Sequence, residues 1–208
     1  LNAARETGLE TMIFICEGDS AAGSLVSCRD VANQAIFTLK GKPLNTCGRK
    51  RDELYRNVEL YNLMQTLDVE QSVDNLRYQK VILATDADVD GLHIRNLMIT
   101  FFLRFFDRIL REGHLYILET PLFRVRNKKV THYCYTEEDR LSALAELGKT
   151  AEITRFKGLG EISPKEFKDF IGPNMRLTPV DATQDFGLGD TVEFYMGENT
   201  ADRRSYIM

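Results

Sequence analysis

Residues 80–85, KVILAT, are almost wholly apolar and run straight into DADVDG, residues 86–91. Such a run reads as a strand covered on both faces, as in the middle of a parallel sheet. Two β-rich runs precede it, TMIFIC (11–16) and QAIFTL (34–39), and HLYILET (114–120) follows. Between them, DELYRNVELYNLMQT (52–66) has the pattern of an amphipathic helix, and Ser20 is placed to cap a helix after the first strand. Asp90 is placed to cap another, longer one. In that helix His93, Asn96, Thr100, Arg104, Asp107 and Arg111 fall three or four apart and form one polar stripe. Strands alternating with helices predict an open, mostly parallel α/β sheet flanked by helices over residues 8–120.

Beyond Pro121 the pattern changes. LFRVRN and VTHYCYT flank KK as a hairpin, EEDRLSALAELG is a short helix closed by Gly148, and EITRFKGLGEISPKEFKDFI gives a strand, a glycine turn and a helix. The polar, Gly-rich residues from 174 on read as a loosely packed tail. Residues 121–208 are therefore expected to form a small α+β tail region. Leu1 is not a start methionine, so a piece of a longer chain is expected.

The most apolar stretch, 92–110, is broken by Arg95, Arg104, Asp107 and Arg108 and is no membrane span. The opening residues carry no signal peptide, and the four cysteines have no zinc or CxxC spacing, which points to reduced thiols in the cytoplasm. A net charge of −4 argues mildly against nucleic acid, yet basic residues cluster in LKGKP, GRKR, FRVRNKK and TRFKG. A bipolar surface still offers one face to a phosphate backbone.

Asp86, Asp88 and Asp90 stand where their charges repel. The EF-hand loop shares their spacing, but it needs a Glu at position twelve, where Leu97 stands, and a helix where a strand precedes. A capping role accounts for Asp90 alone. Asp86 and Asp88, about 6.5–7 Å apart on one side of extended chain, can share or bracket an ion. Ligands in open α/β sheets sit beyond the carboxyl ends of strands, and both EGDS and DADVDG lie at such ends. Glu17 supplies either a third ligand or a general acid. Oxygen ligands without His or Cys favour Mg²⁺. His93, one turn on, is either a phosphate contact or an exposed polar residue.

EGDSA followed some seventy residues later by TDADVDGLHIR resembles the TOPRIM domain of type IIA DNA topoisomerases. LKGKPLN and RFKGLGE resemble two further motifs of their B subunits, and it is the ordered set that is specific. YILETPLFRVRNKK and EITRFKGLGEISPKEF are more similar to topoisomerase IV forms than to gyrase forms. The resemblance implies that Glu17, Asp86 and Asp88 bind Mg²⁺, with Asp90 near a second ion. It implies that Glu17 also serves as acid and base at the leaving 3′ oxygen, and that Lys42 and Asn45, and more weakly Arg155 and Lys157, contact double-stranded DNA. It further implies an A subunit that carries the nucleophilic tyrosine in an A2B2 assembly, and an ATP-hydrolysing region N-terminal to this one. Ala22 stands where the family pattern has glycine, which is harmless in a helix and awkward at positive φ.

Three other readings share parts of this pattern. A TOPRIM primase or nuclease would have the same carboxylates but not KGKPLN or RFKGLGE. A DNA-gate scaffold would not need the acidic set, and a small-molecule phosphotransferase would need a nucleotide-binding glycine loop.

Overall fold

The computed structural model describes residues 1–5, 8–148, 150–182 and 188–198. The parts of the expected tail at 183–187 and 199–208 lie outside the described residues. The chain opens with β1 (Gly8–Glu17), α1 (Gly18–Cys28) and β2 (Gln34–Leu39), followed by α2 (Arg51–Arg56), α3 (Val58–Leu67) and β3 (Tyr78–Ala84). Next come α4 (Val89–Phe105), α5 (Asp107–Arg111) and β4 (Leu115–Glu119). The second half holds β5 (Phe123–Arg126), β6 (Thr131–Cys134), α6 (Glu137–Leu147), β7 (Glu152–Arg155), α7 (Pro164–Phe170), β8 (Arg176–Pro179) and α8 (Leu188–Met196).

The main sheet has the order β2-β1-β3-β4-β8, parallel except for β8. Its central strands bury both faces, as the apolar run at 80–85 predicts. Ile13, Ile15, Val81 and Leu83 join α3 and α4 in one core, while Phe14, Cys16, Ile82 and Ala84 pack on the other side with α1 and α7. A three-stranded antiparallel sheet, β6-β5-β7, stands beside it, and its hairpin and the helix ended by Gly148 lie where the sequence places them.

Residues after 121 contribute to the first sheet's packing. Phe167 and Phe170 of α7 are fully or nearly buried against α1, and each such side chain contributes roughly 1.5–3 kcal/mol. The segment from 174, expected to be loose, instead supplies β8, whose Leu177 pairs with Leu118 of β4. Its four residues carry no periodic signal, because the partner strand makes the strand.

Two helix boundaries also differ from expectation. The amphipathic run 52–66 is two helices, because the Asn57 side chain accepts from the Leu60 N–H and caps α3. The first helix starts at Gly18, so Ser20 lies inside it, and Ala22 is buried in that helix with ordinary negative φ. The polar stripe is only partly solvated: Thr100 is buried, its hydroxyl donating to the Asn96 carbonyl. Among the described residues, no helix is long and apolar enough to cross a membrane.

Candidate metal centre and nucleic-acid face

β1 lies between β2 and β3, so the strand order reverses between β1 and β3 and opens a crevice at their carboxyl ends. Cys16 is in register with Ala84, which brings Glu17 and the chain after Thr85 to the same edge. A hollow of about 460 Å³ forms there, lined by Glu17, Asp86, Asp88, Asp90 and Glu161. Four of these are expected from the sequence. Glu161 is not: in the RFKGLGE motif the sequence points to Arg155 and Lys157 as DNA contacts, and the acid at its end carries no separate signal.

Each carboxylate has its own restraint. Asp86 Oδ1 accepts from the Leu159 N–H at 2.8 Å, so the RFKGLGE loop reaches across to the strand end. Two glycines permit the close packing. A Cβ on Gly158 would stand 2.8 Å from Asp86 Oδ2, and one on Gly91 would lie 2.2 Å from the Asp86 carbonyl oxygen. Asp88, not Asp90, caps α4: its Oδ1 accepts from the Gly91 N–H at 2.8 Å. That leaves Asp90 in the first turn, where Lys42 Nζ approaches its Oδ1 to 2.7 Å.

The electrostatics match a site built for positive charge. Burial and then repulsion from Asp86, Asp88 and Asp90 push the Glu17 carboxyl up. Burial also pushes Asp86 up, helped by Asp88 and Glu161 and opposed by the Leu159 hydrogen bond. Asp90 is held down by Lys42. An all-oxygen donor set with this mutual repulsion suits a hard divalent cation. Among the described residues, no three His, Cys, Asp or Glu side chains converge closely enough to hold an ion by themselves.

Lys42 is at the site's edge, engaged with Asp90. Asn45 donates through Nδ2 to the Met196 carbonyl at the end of α8. His93 is exposed near the start of α4, and its proximity favours the charged form of Asp90. Arg155 and Lys157 line a second hollow on the other side of Asp86 and Asp88.

A family model described as "Toprim domain" matches residues 12–120. The chain belongs to the Toprim family. In this Toprim chain a second model, "DNA gyrase B subunit, carboxyl terminus", matches residues 148–208. The DNA topoisomerase 4 B subunit of Borreliella burgdorferi is 57% identical over 208 residues, covering 100% of this chain and 35% of that protein. The DNA gyrase B subunit of Thermus thermophilus is 38% identical over 95% of this chain and 33% of its own length. The Toprim chain thus spans about a third of these relatives, and the higher identity falls on the topoisomerase 4 side, as the motifs predict. The crystal structure of the Plasmodium falciparum topoisomerase II DNA-binding, cleavage and re-ligation domain superposes with a TM-score of 0.83 over 99% of this chain and 30% of that one. At 23% identity that likeness establishes the fold.

Proposed function

We propose that this chain is the Mg²⁺-binding half of the DNA cleavage and religation centre of an ATP-dependent type IIA topoisomerase, as part of a topoisomerase IV B subunit. The observation that carries the reading is the convergence of Glu17, Asp86, Asp88 and Asp90 on one crevice, closed from above by the RFKGLGE loop. Glu17, Asp86 and Asp88 would hold the ion, and Asp90 would serve a second one. Each aspartate uses one oxygen in the contacts described and keeps the other for a ligand. The spread between the carboxylates would leave room for water and phosphate oxygens, as a hard divalent ion prefers. A bound divalent ion neutralises charge building on the phosphate and on the departing 3′ oxygen.

The chain's own groups position the strand and move the proton. Glu17, at the end of β1 beside Asp86 and Asp88, serves as acid and base at the 3′ oxygen. Lys42, Arg155 and Lys157 hold the double-stranded DNA on two sides of the carboxylates. Asn45 and His93 are further DNA contacts in this reading. The nucleophile comes from the tyrosine of an A subunit in an A2B2 assembly acting on DNA in the cytoplasm, and ATP is used by another part of the B subunit.

Reconstitution of the complete B subunit with candidate A subunits tests the reading. Cleaved DNA should carry a covalent protein link only when both subunits are present, and decatenation should proceed without supercoiling. Supercoiling by the pair would make it a gyrase. Free, unlinked ends released by this chain and Mg²⁺ alone would make it a nuclease and overturn the proposal.

A further inference from the structure

Asp86 and Asp88 form the wall between the carboxylate crevice and a second, larger hollow of about 860 Å³. We propose that this second hollow binds a nucleotide phosphate, with Arg95 as its half-buried anchor. The inference deepens the proposed function and rests on its placing of Arg155 and Lys157 towards nucleic acid; it adds Arg95 and does not depend on an ion at Asp86.

Arg95 lies on the third residue past the DADVDGL turn, in a stretch that is otherwise largely apolar. Its guanidinium reaches only Thr85 Oγ1, at 3.3–3.4 Å, and Thr85 is itself buried beyond the end of β3. No carboxylate lies within 4 Å of it among the described residues, whereas Arg108, Arg111, Arg124 and Arg126 all hold one. Burial lowers the affinity of Arg95 for its proton, with no neighbouring carboxylate to offset it. A half-buried guanidinium with one weak neutral acceptor is incompletely satisfied, and a bidentate oxyanion is the chemistry that completes it.

The remaining lining defines the rest of the ligand. Arg155 and Lys157 add two cations, so that three cations line the hollow against the carboxylates of Asp86, Asp88 and Glu119, the last of which accepts from the Thr178 hydroxyl. The Arg155 guanidinium lies 5.9 Å from the Phe123 ring centre, so charge and aromatic surface meet in one wall. At the mouth, Val89 is 83% exposed and Leu92 51% exposed, an unusual pair of bare apolar side chains beside aspartates. An inorganic anion would use the cations and leave this apolar surface wet. A nucleotide uses both, its phosphate on Arg95 and its flat base against the aromatic and aliphatic wall. The source is either a free nucleotide or one residue of a DNA strand.

The test measures binding of a labelled single-stranded oligonucleotide to the 208-residue chain by fluorescence anisotropy in EDTA, which removes any contribution from metal. A nucleoside 5′-monophosphate and inorganic phosphate serve as competitors. Arg95→Gln should weaken oligonucleotide binding about tenfold or more, the effect of losing a charge-assisted contact. The monophosphate should compete at a much lower concentration than phosphate if the source is a free nucleotide. Failure of the monophosphate to compete, with the Arg95 effect intact, assigns the site to a DNA strand. Leu92→Asp, at an exposed position, should produce the same loss and guards against misfolding of the Arg95 variant. Unchanged affinity in both variants, or phosphate competing as well as the nucleotide, overturns the proposal. Because the readout is metal-free binding, it can fail while Mg²⁺-dependent cleavage stands, and the reverse.

Discussion

The Leu159 N–H donates to Asp86 Oδ1 across 2.8 Å, although 73 residues separate them in the chain. This single bond ties the glycine loop of the second half to the strand-end carboxylate of the first. It engages Oδ1 rather than Oδ2 and fixes the direction of the side chain.

Asp86→Asn separates the charge of this residue from its role as an acceptor. The amide oxygen still receives the Leu159 N–H, so the fold should persist, while Mg²⁺-dependent cleavage by the reconstituted enzyme should vanish. The wild-type carboxyl is raised above its usual 3.8 in the folded chain, chiefly by burial. The folded state therefore holds the proton more tightly, and metal-free stability is lost as pH rises from about 3.8 through the folded value. Thermal melts across pH should show this decline, Mg²⁺ should reverse it, and in Asp86→Asn the decline should shrink to the part that the raised Glu17 carboxyl contributes. Undiminished cleavage by the variant would exclude Asp86 as a ligand.

Gly158→Ala tests the close approach. Gly158 has φ −138°, open to any residue, so the damage is steric: the new Cβ meets Asp86 Oδ2 at 2.8 Å. The carboxylate or the loop must move. Mg²⁺ affinity, read by calorimetry with DNA present, should fall about tenfold, with a stability loss of about 1–2 kcal/mol. Wild-type affinity would show that the loop does not orient the carboxylate.

Lys42→Ala addresses the exposed pair with Asp90. The melting temperature should be unchanged, because both partners are solvated. The slope of log affinity for duplex DNA against log salt should fall by about one. An unchanged slope would leave Lys42 only as the partner of Asp90.

Glu166→Gln probes the joint between α7 and the small sheet. Burial pushes this carboxyl up, but hydrogen bonds from Ser163, Arg124 and Tyr133 and the Arg124 charge outweigh it and hold it at about 2. A depressed carboxyl stabilises above its unfolded value of 4.5, and the contribution is lost as pH falls toward about 2. The wild-type chain should lose stability through that window. The variant should show a flatter acid limb and a loss of about 3–5 kcal/mol at neutral pH, since it leaves the Arg124 charge without its partner. Parallel acid curves for the two proteins would count against the network.

Much of the main sheet was legible because its signals are local. The apolar runs of β1 and β3 mark strands buried on both faces, and the rule that ligands gather beyond strand ends located the carboxylates. The break at Asn57 was hidden because the apolar period continues across it, and only the cap reveals two helices. The exchange of capping roles between Asp88 and Asp90 was equally hidden, since either residue suits the start of α4.

By itself the sequence determined which strand ends carry acid and which loops carry base, since these depend on residues adjacent in the chain. Only the tertiary structure decided which oxygens remain open to a ligand. Leu159 claims one oxygen of Asp86 and Lys42 one of Asp90, and both arrive from distant segments. It also decided that β8 and α7 complete the main sheet and its core, because a short polar strand and a seven-residue helix gain their stability from the surface they meet.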